Sequence, residues 1–164
     1  MSGTAGQRPE QPDPRSVYGS WLLAGLLNQP DRRDYYEKVM RARISSGGIE
    51  QYTIAERVFQ QCMAMLFRVD QPVRDISDFV AAARASLAHP ELIGRLESEA
   101  LVRYALGERV WLAGIEDRLA INAYMVLTVR VIRLKGLSPA QVRRLVTEAE
   151  DWVEASGIRL VLLD

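Results

Sequence analysis

The chain has 164 residues, of which 48% are hydrophobic, and its 21 basic residues are balanced by 21 acidic ones. That length suits one domain, and a chain of this size buries roughly 70% of the surface it exposes when unfolded. With one cysteine and one histidine, a disulfide framework is excluded and a structural zinc site lacks its four nitrogen or sulfur ligands.

Residues 1–14 are rich in Gly, Pro, Gln and Ser without an apolar period, and are expected to form a disordered tail ahead of a single helical domain over 15–164. They lack the basic start and apolar centre of a secretory signal. The uncharged stretch 16–29 falls short of the ~20 residues a membrane span needs, so no membrane partner is expected. A lone, unpaired cysteine fits a reducing compartment, and the expected location is cytoplasmic.

Within 16–27, Tyr18, Trp21, Leu22, Gly25 and Leu26 recur at helical spacing with no charge among them. Such a helix is buried in its own core or in a partner. Pro30 ends it. A second helix follows over 31–44, with apolar Tyr36, Val39, Met40 and Ile44. Its charges pair at i,i+4: Arg33 with Glu37, Asp34 with Lys38, Glu37 with Arg41. Ser45, Ser46, Gly47 and Gly48 should close it. A third helix is expected over 49–69, with Cys62 inside an apolar stripe that includes Val58, Phe59 and Met65. Asp75 reads as the N-cap of a fourth helix carrying Ile76, Phe79, Val80, Ala83 and Leu87. Pro90 suits the first position of a fifth, running to about residue 106 and lined by Leu92, Ile93, Leu96, Ala100 and Tyr104. Gly107 and Gly114 bracket a short apolar segment, either a turn of helix or a loop.

The sixth segment, 115–134, carries no charge between Leu119 and Val129 and is apolar on every face. It should be the buried central helix. Gly136 closes it. Ser138-Pro139-Ala140-Gln141 then signals a helix start, and Val142, Leu145, Val146, Ala149, Trp152 and Val153 form one stripe up to Gly157. The apolar tail 158–163 is too short for a helix and should lie extended against the bundle or a neighbour. The expected fold is all-α: a single compact bundle of about six or seven helices around a buried central helix near 115–134.

Motifs for chemistry are missing. There is no Gly-rich phosphate loop, H-E-x-x-H, EF-hand or nucleophile elbow. One histidine cannot supply two Glu-x-x-His motifs to a di-iron site. His89 stands before a proline, where a turn role outweighs general-base work unless a carboxylate lies beside it. The acidic pairs Asp75/Asp78, Glu97/Glu99 and Glu116/Asp117 read as caps or solvated faces. No catalytic residue, metal or cofactor is assigned, and a non-enzyme is expected.

Charge along the chain gives one positive lead. Residues 118–147 hold six bases and no acid, whereas 148–164 hold one base and five acids. Arg130, Arg133, Lys135, Arg143 and Arg144 are therefore candidate contacts for an anion or nucleic acid. Segment 128–147 has helix-turn-helix character, with Arg143 and Arg144 on the exposed face of its second helix. Against a DNA role stand the net neutrality, the bulky Ile132, the following Glu148, Glu150, Asp151 and Glu154, and the general preference of helix C-termini for cations. A second lead is apolar surface. Tyr18, Trp21, Leu22, Leu26, Leu160 and Leu162 could form an oligomer interface or lie in the core. A third is a buried polar pocket for a small molecule, from Asn122, Tyr124 and Thr128. The expected function is non-enzymatic association, with a second copy or a protein partner. A DNA-binding regulator using 128–147 is the alternative, and a small-molecule-binding helical domain comes third.

Overall fold

In the computed structural model, the described residues are 13–43 and 48–164. The tail residues 1–12, together with Ile44, Ser45, Ser46 and Gly47 of the second helix's expected end, lie outside them. Seven α-helices occur among the described residues: α1 (Val17–Leu26), α2 (Pro30–Arg43), α3 (Ile49–Leu66), α4 (Val73–Ala85), α5 (Arg95–Ala105), α6 (Asp117–Lys135) and α7 (Pro139–Ala155). No helix among them is long and apolar enough to cross a membrane. The fold is the all-α bundle expected from the sequence.

Ser16 caps α1 by accepting a hydrogen bond from Gly19 N at 2.8 Å. Every residue of α1 except Gly25 is buried. This decides where its apolar residues go: Tyr18, Trp21, Leu22 and Leu26 are core, as is Leu160 in the C-terminal tail. They have no surface to offer a partner, and the interface reading gives way to core burial for these five. Of that set Leu162 alone stays exposed. Asn28, in a left-handed conformation with φ 53°, turns the chain into α2. No residue of α2 is fully buried, and it packs on α1.

Helices α3 and α6 share the centre of the bundle: α6 packs against α1, α3, α4 and α5, and α3 packs against α1, α5, α6 and α7 and buries Ile54, Ala55, Val58, Phe59, Cys62 and Met63. Phe59 meets Tyr124 of α6 with ring centroids 4.8 Å apart. Burial of each large apolar side chain of this kind contributes roughly 1.5–3 kcal/mol. The helix stops at Leu66, three residues short of expectation, because Phe67 turns extended and packs edge-to-face on Phe79 of α4, 5.2 Å away.

Three other boundaries differ from expectation. Helix α4 is capped by Pro72, whose carbonyl already accepts from Asp75 N at 3.0 Å, so Asp75 lies inside the helix. The expected fifth helix is broken: Pro90–Leu92 is a 3-10 turn, Ile93 and Gly94 are extended, and α5 begins at Arg95. Inserting Ile93 into the core resets the helical phase. Ser98, Leu101 and Val102 then face inward, and Leu92, Leu96 and Tyr104 face solvent. The segment between Gly107 and Gly114 is a loop, with Trp111 85% exposed.

Helix α7 forms as its start signal requires. Ser138 Oγ accepts from Gln141 N at 3.3 Å, and Gln141 Oε1 accepts from Ser138 N at 2.8 Å. The C-terminal tail lies extended against the bundle, antiparallel to the segment entering α1. Val17 N donates to Val161 O and Leu163 N to Arg15 O, each at 2.9 Å. Beneath this pairing sits Glu150 of α7, fully buried. Its carboxylate accepts from Arg15 N at 3.1 Å, Ser16 N at 2.9 Å and Ser16 Oγ at 2.5 Å. The Arg15 guanidinium closes the outer side through Asp151 and Glu154, each at 2.8 Å. Ahead of Arg15, Pro14 is buried and Asp13 sits 3.0 Å from Arg143.

Candidate anion-binding cleft

Helix α6 explains its own uncharged middle. One face, Ala120, Ala123, Tyr124, Leu127, Thr128 and Val131, is buried. The other carries two adjacent rows, Met125–Val129–Arg133 and Val126–Arg130–Leu134, each at i,i+4 spacing. The bundle covers these rows only in part: Met125, Val126, Val129 and Arg130 are half-buried, and Arg133 and Leu134 are exposed. They line a cleft of about 420 Å³ whose other walls are Gly25 of α1, Arg33 of α2, and Ser86 and Leu87 after α4. The helix is apolar on every face because one face fills the core and the opposite one floors a cleft.

Gly25 has a specific part here. A Cβ at this position would stand 2.6 Å from Met125 Cε and 3.8 Å from Arg33 Cδ. The glycine lets the Met125 thioether lie across the end of α1, and this is why the one residue of α1 left unburied is a glycine.

Three arginines and no acidic residue line this cleft. Among the described residues Arg33, Arg130 and Arg133 take part in no ion pair. The Nε of Arg130 is sealed from solvent without an acceptor. Arg33 lies over the Trp21 ring, its guanidinium carbon 5.7 Å from the centroid. The expected Arg33–Glu37 pair is not made, because Glu37 is held by Arg41 at 2.7 Å.

The basic block counted along the sequence therefore divides in space. Arg130 and Arg133 reach the cleft. Lys135 is exposed near the C-terminus of α6. Arg143 Nε stands 3.0 Å from Asp13 Oδ1, without the N–H aimed at it, and Arg144 pairs with Glu148 at 3.4 Å. Both have local counter-charges. The helix-turn-helix geometry expected for 128–147 is also not formed. The turn is present, with Gly136 left-handed at φ 60°, but α6 and α7 make almost no contact with one another. Each packs on α3 and α1, and Val142 and Leu145 are buried.

The expected polar pocket of Asn122, Tyr124 and Thr128 is not one site. Tyr124 and Thr128 are four apart and point into the core, whereas Asn122 lies on another face. The Tyr124 hydroxyl is 2.8 Å from that of Tyr52, and burial raises the Tyr124 pKa. Thr128 bonds to Cys62, whose thiol burial pushes up to about 12. Asn122 borders a separate cleft of about 310 Å³ with Gln51, Tyr52, Asp117, Arg118 and Trp21. The indole Nε1 of Trp21 is buried without a partner.

Among the described residues, the acid–base candidates named from the sequence do not gather at one site. His89 does have a carboxylate neighbour, Glu91 at 3.2 Å, but both are exposed and neither lines a cleft described above. Asp75 accepts from Gln71 at 2.7 Å, and Glu99 pairs with Arg95 at 3.1 Å. Glu116 is the N-cap of α6, and Asp117 occupies its first turn, where a negative charge suits the helix dipole. Buried Glu50 accepts from Val161 N at 3.0 Å; its pKa is raised by desolvation, with a further push from the Glu150 charge. Among the described residues no group of three or more His, Cys, Asp or Glu side chains could hold a metal.

Sequence reasoning missed Arg33, Gly25, Ser86 and Leu87. The signal for Arg33 was a charged helix lying next to an uncharged one, which leaves its inner edge facing an apolar neighbour. In comparison with protein-family models, curated proteins and solved structures, nothing matched this chain.

Proposed function

We propose that this protein is a binding domain without catalytic chemistry of its own, which acts by association through the cleft between α1, α2, α4 and α6. The observation that carries this reading is the trio Arg33, Arg130 and Arg133, gathered from two helices over an apolar floor with no carboxylate among the lining residues. Like charges brought together at a half-dry surface repel one another, and their guanidinium groups form charge-assisted bonds with an oxyanion, often bidentate. The partner group is therefore anionic, with apolar surface beside it.

Anilinonaphthalene sulfonate, an anion on an aromatic body, tests this. It should bind the folded protein with enhanced fluorescence, more weakly as salt is added. The double variant Arg33→Gln, Arg133→Gln should lose most of the signal while keeping its helical circular dichroism. Equal binding by wild type and variant would remove the cleft as the site.

A second reading, association with another protein or a second copy, is favoured by Trp111. A tryptophan 85% exposed between two left-handed glycines is a ready anchor for an interface. Sedimentation at increasing concentration tests self-association. A protein that stays monomeric, with Trp111→Ser indistinguishable from wild type, ends that version of the reading.

A further inference from the structure

Resting on the reading of the cleft as an anion site, we propose that its occupant is a small amphiphile: a single oxyanion head, carboxylate or phosphate, on an apolar body. Three features of the cleft lead there.

The first is the division of its lining. Arg33 from α2 and Arg130 and Arg133 from α6 supply charge, and Leu87, Met125, Val126 and Val129 supply a hydrocarbon surface. An inorganic ion would satisfy the guanidinium groups and leave that surface wet. An uncharged apolar molecule would cover the surface and leave three cations without a counter-charge. A molecule with both parts meets both demands. Arg130 adds to the strength of the head contact, because its Nε is already withdrawn from water. A guanidinium that has lost part of its hydration before the ligand arrives gives up less on binding.

The second is size. A cleft of about 420 Å³ is within the roughly 300–1,000 Å³ of sites for drug-sized molecules.

The third is adaptability. The terminal methyl of Met125 lies close against Gly25 at the side of the cleft. An unbranched, polarizable side chain in that place can shift to fit apolar bodies of differing shape. The cleft selects strictly for the head and loosely for the body.

The full-length protein carrying Trp111→Phe and Trp152→Phe provides the test, since its emission then reports Trp21, which lies under Arg33. Decanoate and decyl phosphate are titrated below their micelle-forming concentrations, beside decanol, inorganic phosphate and an acidic Leu/Glu peptide. Decanoate, decyl phosphate or both should shift the emission with saturation, and which head binds more tightly identifies the source. Decanol and inorganic phosphate should do neither at the same concentrations. Arg33→Gln with Arg133→Gln removes two of the three charge-assisted contacts and should weaken binding by about a hundredfold. Both residues are exposed, so the fold is retained. Because Arg33 itself bears on the reporter, binding to this variant is measured by calorimetry. Gly25→Ala, which pushes Met125 into the cleft and alters no charge, should weaken the alkyl ligands as well. Inorganic phosphate equal to decyl phosphate, or decanol equal to decanoate, would overturn the amphiphile. If the peptide binds and the alkyl anions do not, the amphiphile is wrong and the anion cleft stands. If neither the alkyl anions nor anilinonaphthalene sulfonate depends on the arginines, both readings fail together.

Discussion

Ser16 and Glu150, 134 residues apart, share two hydrogen bonds at a point sealed from solvent. The serine also caps α1 through Gly19 N, so one hydroxyl donates to the carboxylate of α7 and accepts from the first turn of α1. The carboxylate receives a third bond from Arg15 N. A buried charge held by donors in this way is costly to disturb, because removing its acceptor oxygen leaves several N–H and O–H groups without partners.

Glu150→Gln should therefore destabilise the fold by about 3 kcal/mol, although it changes no volume. A carboxamide turns one acceptor into a donor facing the Arg15 or Ser16 amide. Urea denaturation should show a lower midpoint with an unchanged slope. A midpoint equal to wild type would mean that the carboxylate is not needed there.

Gly19→Ala and Gly25→Ala should differ sharply, although both replace a glycine in α1 and both gain helix propensity. At Gly19 the new Cβ would meet Glu150 Oε1 at 2.2 Å and Ser16 Oγ at 2.9 Å, so the buried network must break. A loss of about 2 kcal/mol or more is expected. At Gly25 the obstacle is the flexible end of Met125, and propensity favours alanine by roughly 1 kcal/mol. That variant should be near neutral in thermal melts, its cost appearing in ligand binding instead.

Glu50→Gln should behave opposite to Glu150→Gln. The folded state raises the Glu50 pKa above its ordinary 4.5, first by desolvation and then by the nearby Glu150 charge, against the Val161 N–H bond. The folded chain thus holds this proton more tightly than the unfolded one. As pH rises past 4.5, unfolding releases the proton, and the contribution of Glu50 to stability falls until its raised pKa is passed. Glutamine keeps the oxygen that accepts from Val161 and has no proton to lose. The variant should equal or exceed wild type in stability at pH 7 and show a shallower decline across that window. Parallel pH–stability curves would refute this.

Cys62 should report global unfolding. Its thiol is fully buried and its pKa is pushed up to about 12 by burial, opposed by the Thr128 bond. A disulfide reagent at pH 8 should react no faster than the protein opens, since the thiolate is the nucleophile. Rapid labelling of the native protein would contradict the assigned burial.

Much of the fold was legible along the chain. The Ser138 box and Gly157 bounded α7, and the stripe of α3 was read correctly except for its last turn. Failures came where tertiary contacts overrode a local period. Ile93 was read as one more helical residue, but its burial breaks the helix and turns Leu96 and Tyr104 outward. The site was less legible than the fold. Counting charge by segment grouped Arg130 with Arg143, which the fold separates, and placed Arg33 in a surface pair with Glu37, which Arg41 occupies. The uncharged face of α6 was visible, but a buried face and a cleft floor have the same composition. Only the positions of α1, α2 and α4 distinguish them.

The pairing of residues 15–17 with 161–163 runs antiparallel, so the chain leaves the domain in both directions from the same edge. Tension applied to the two ends would open this pairing one hydrogen bond at a time, in the manner of a zip, instead of shearing all of its bonds together. Of the two backbone bonds of the pairing, Leu163 N to Arg15 O meets the force before Val17 N to Val161 O. Behind them stands Glu150, whose buried bonds to Ser16 would then oppose the separation of α1 from α7. The domain should thus yield softly at its margin and firmly one step further in, a two-stage response to pulling set by where the ends meet.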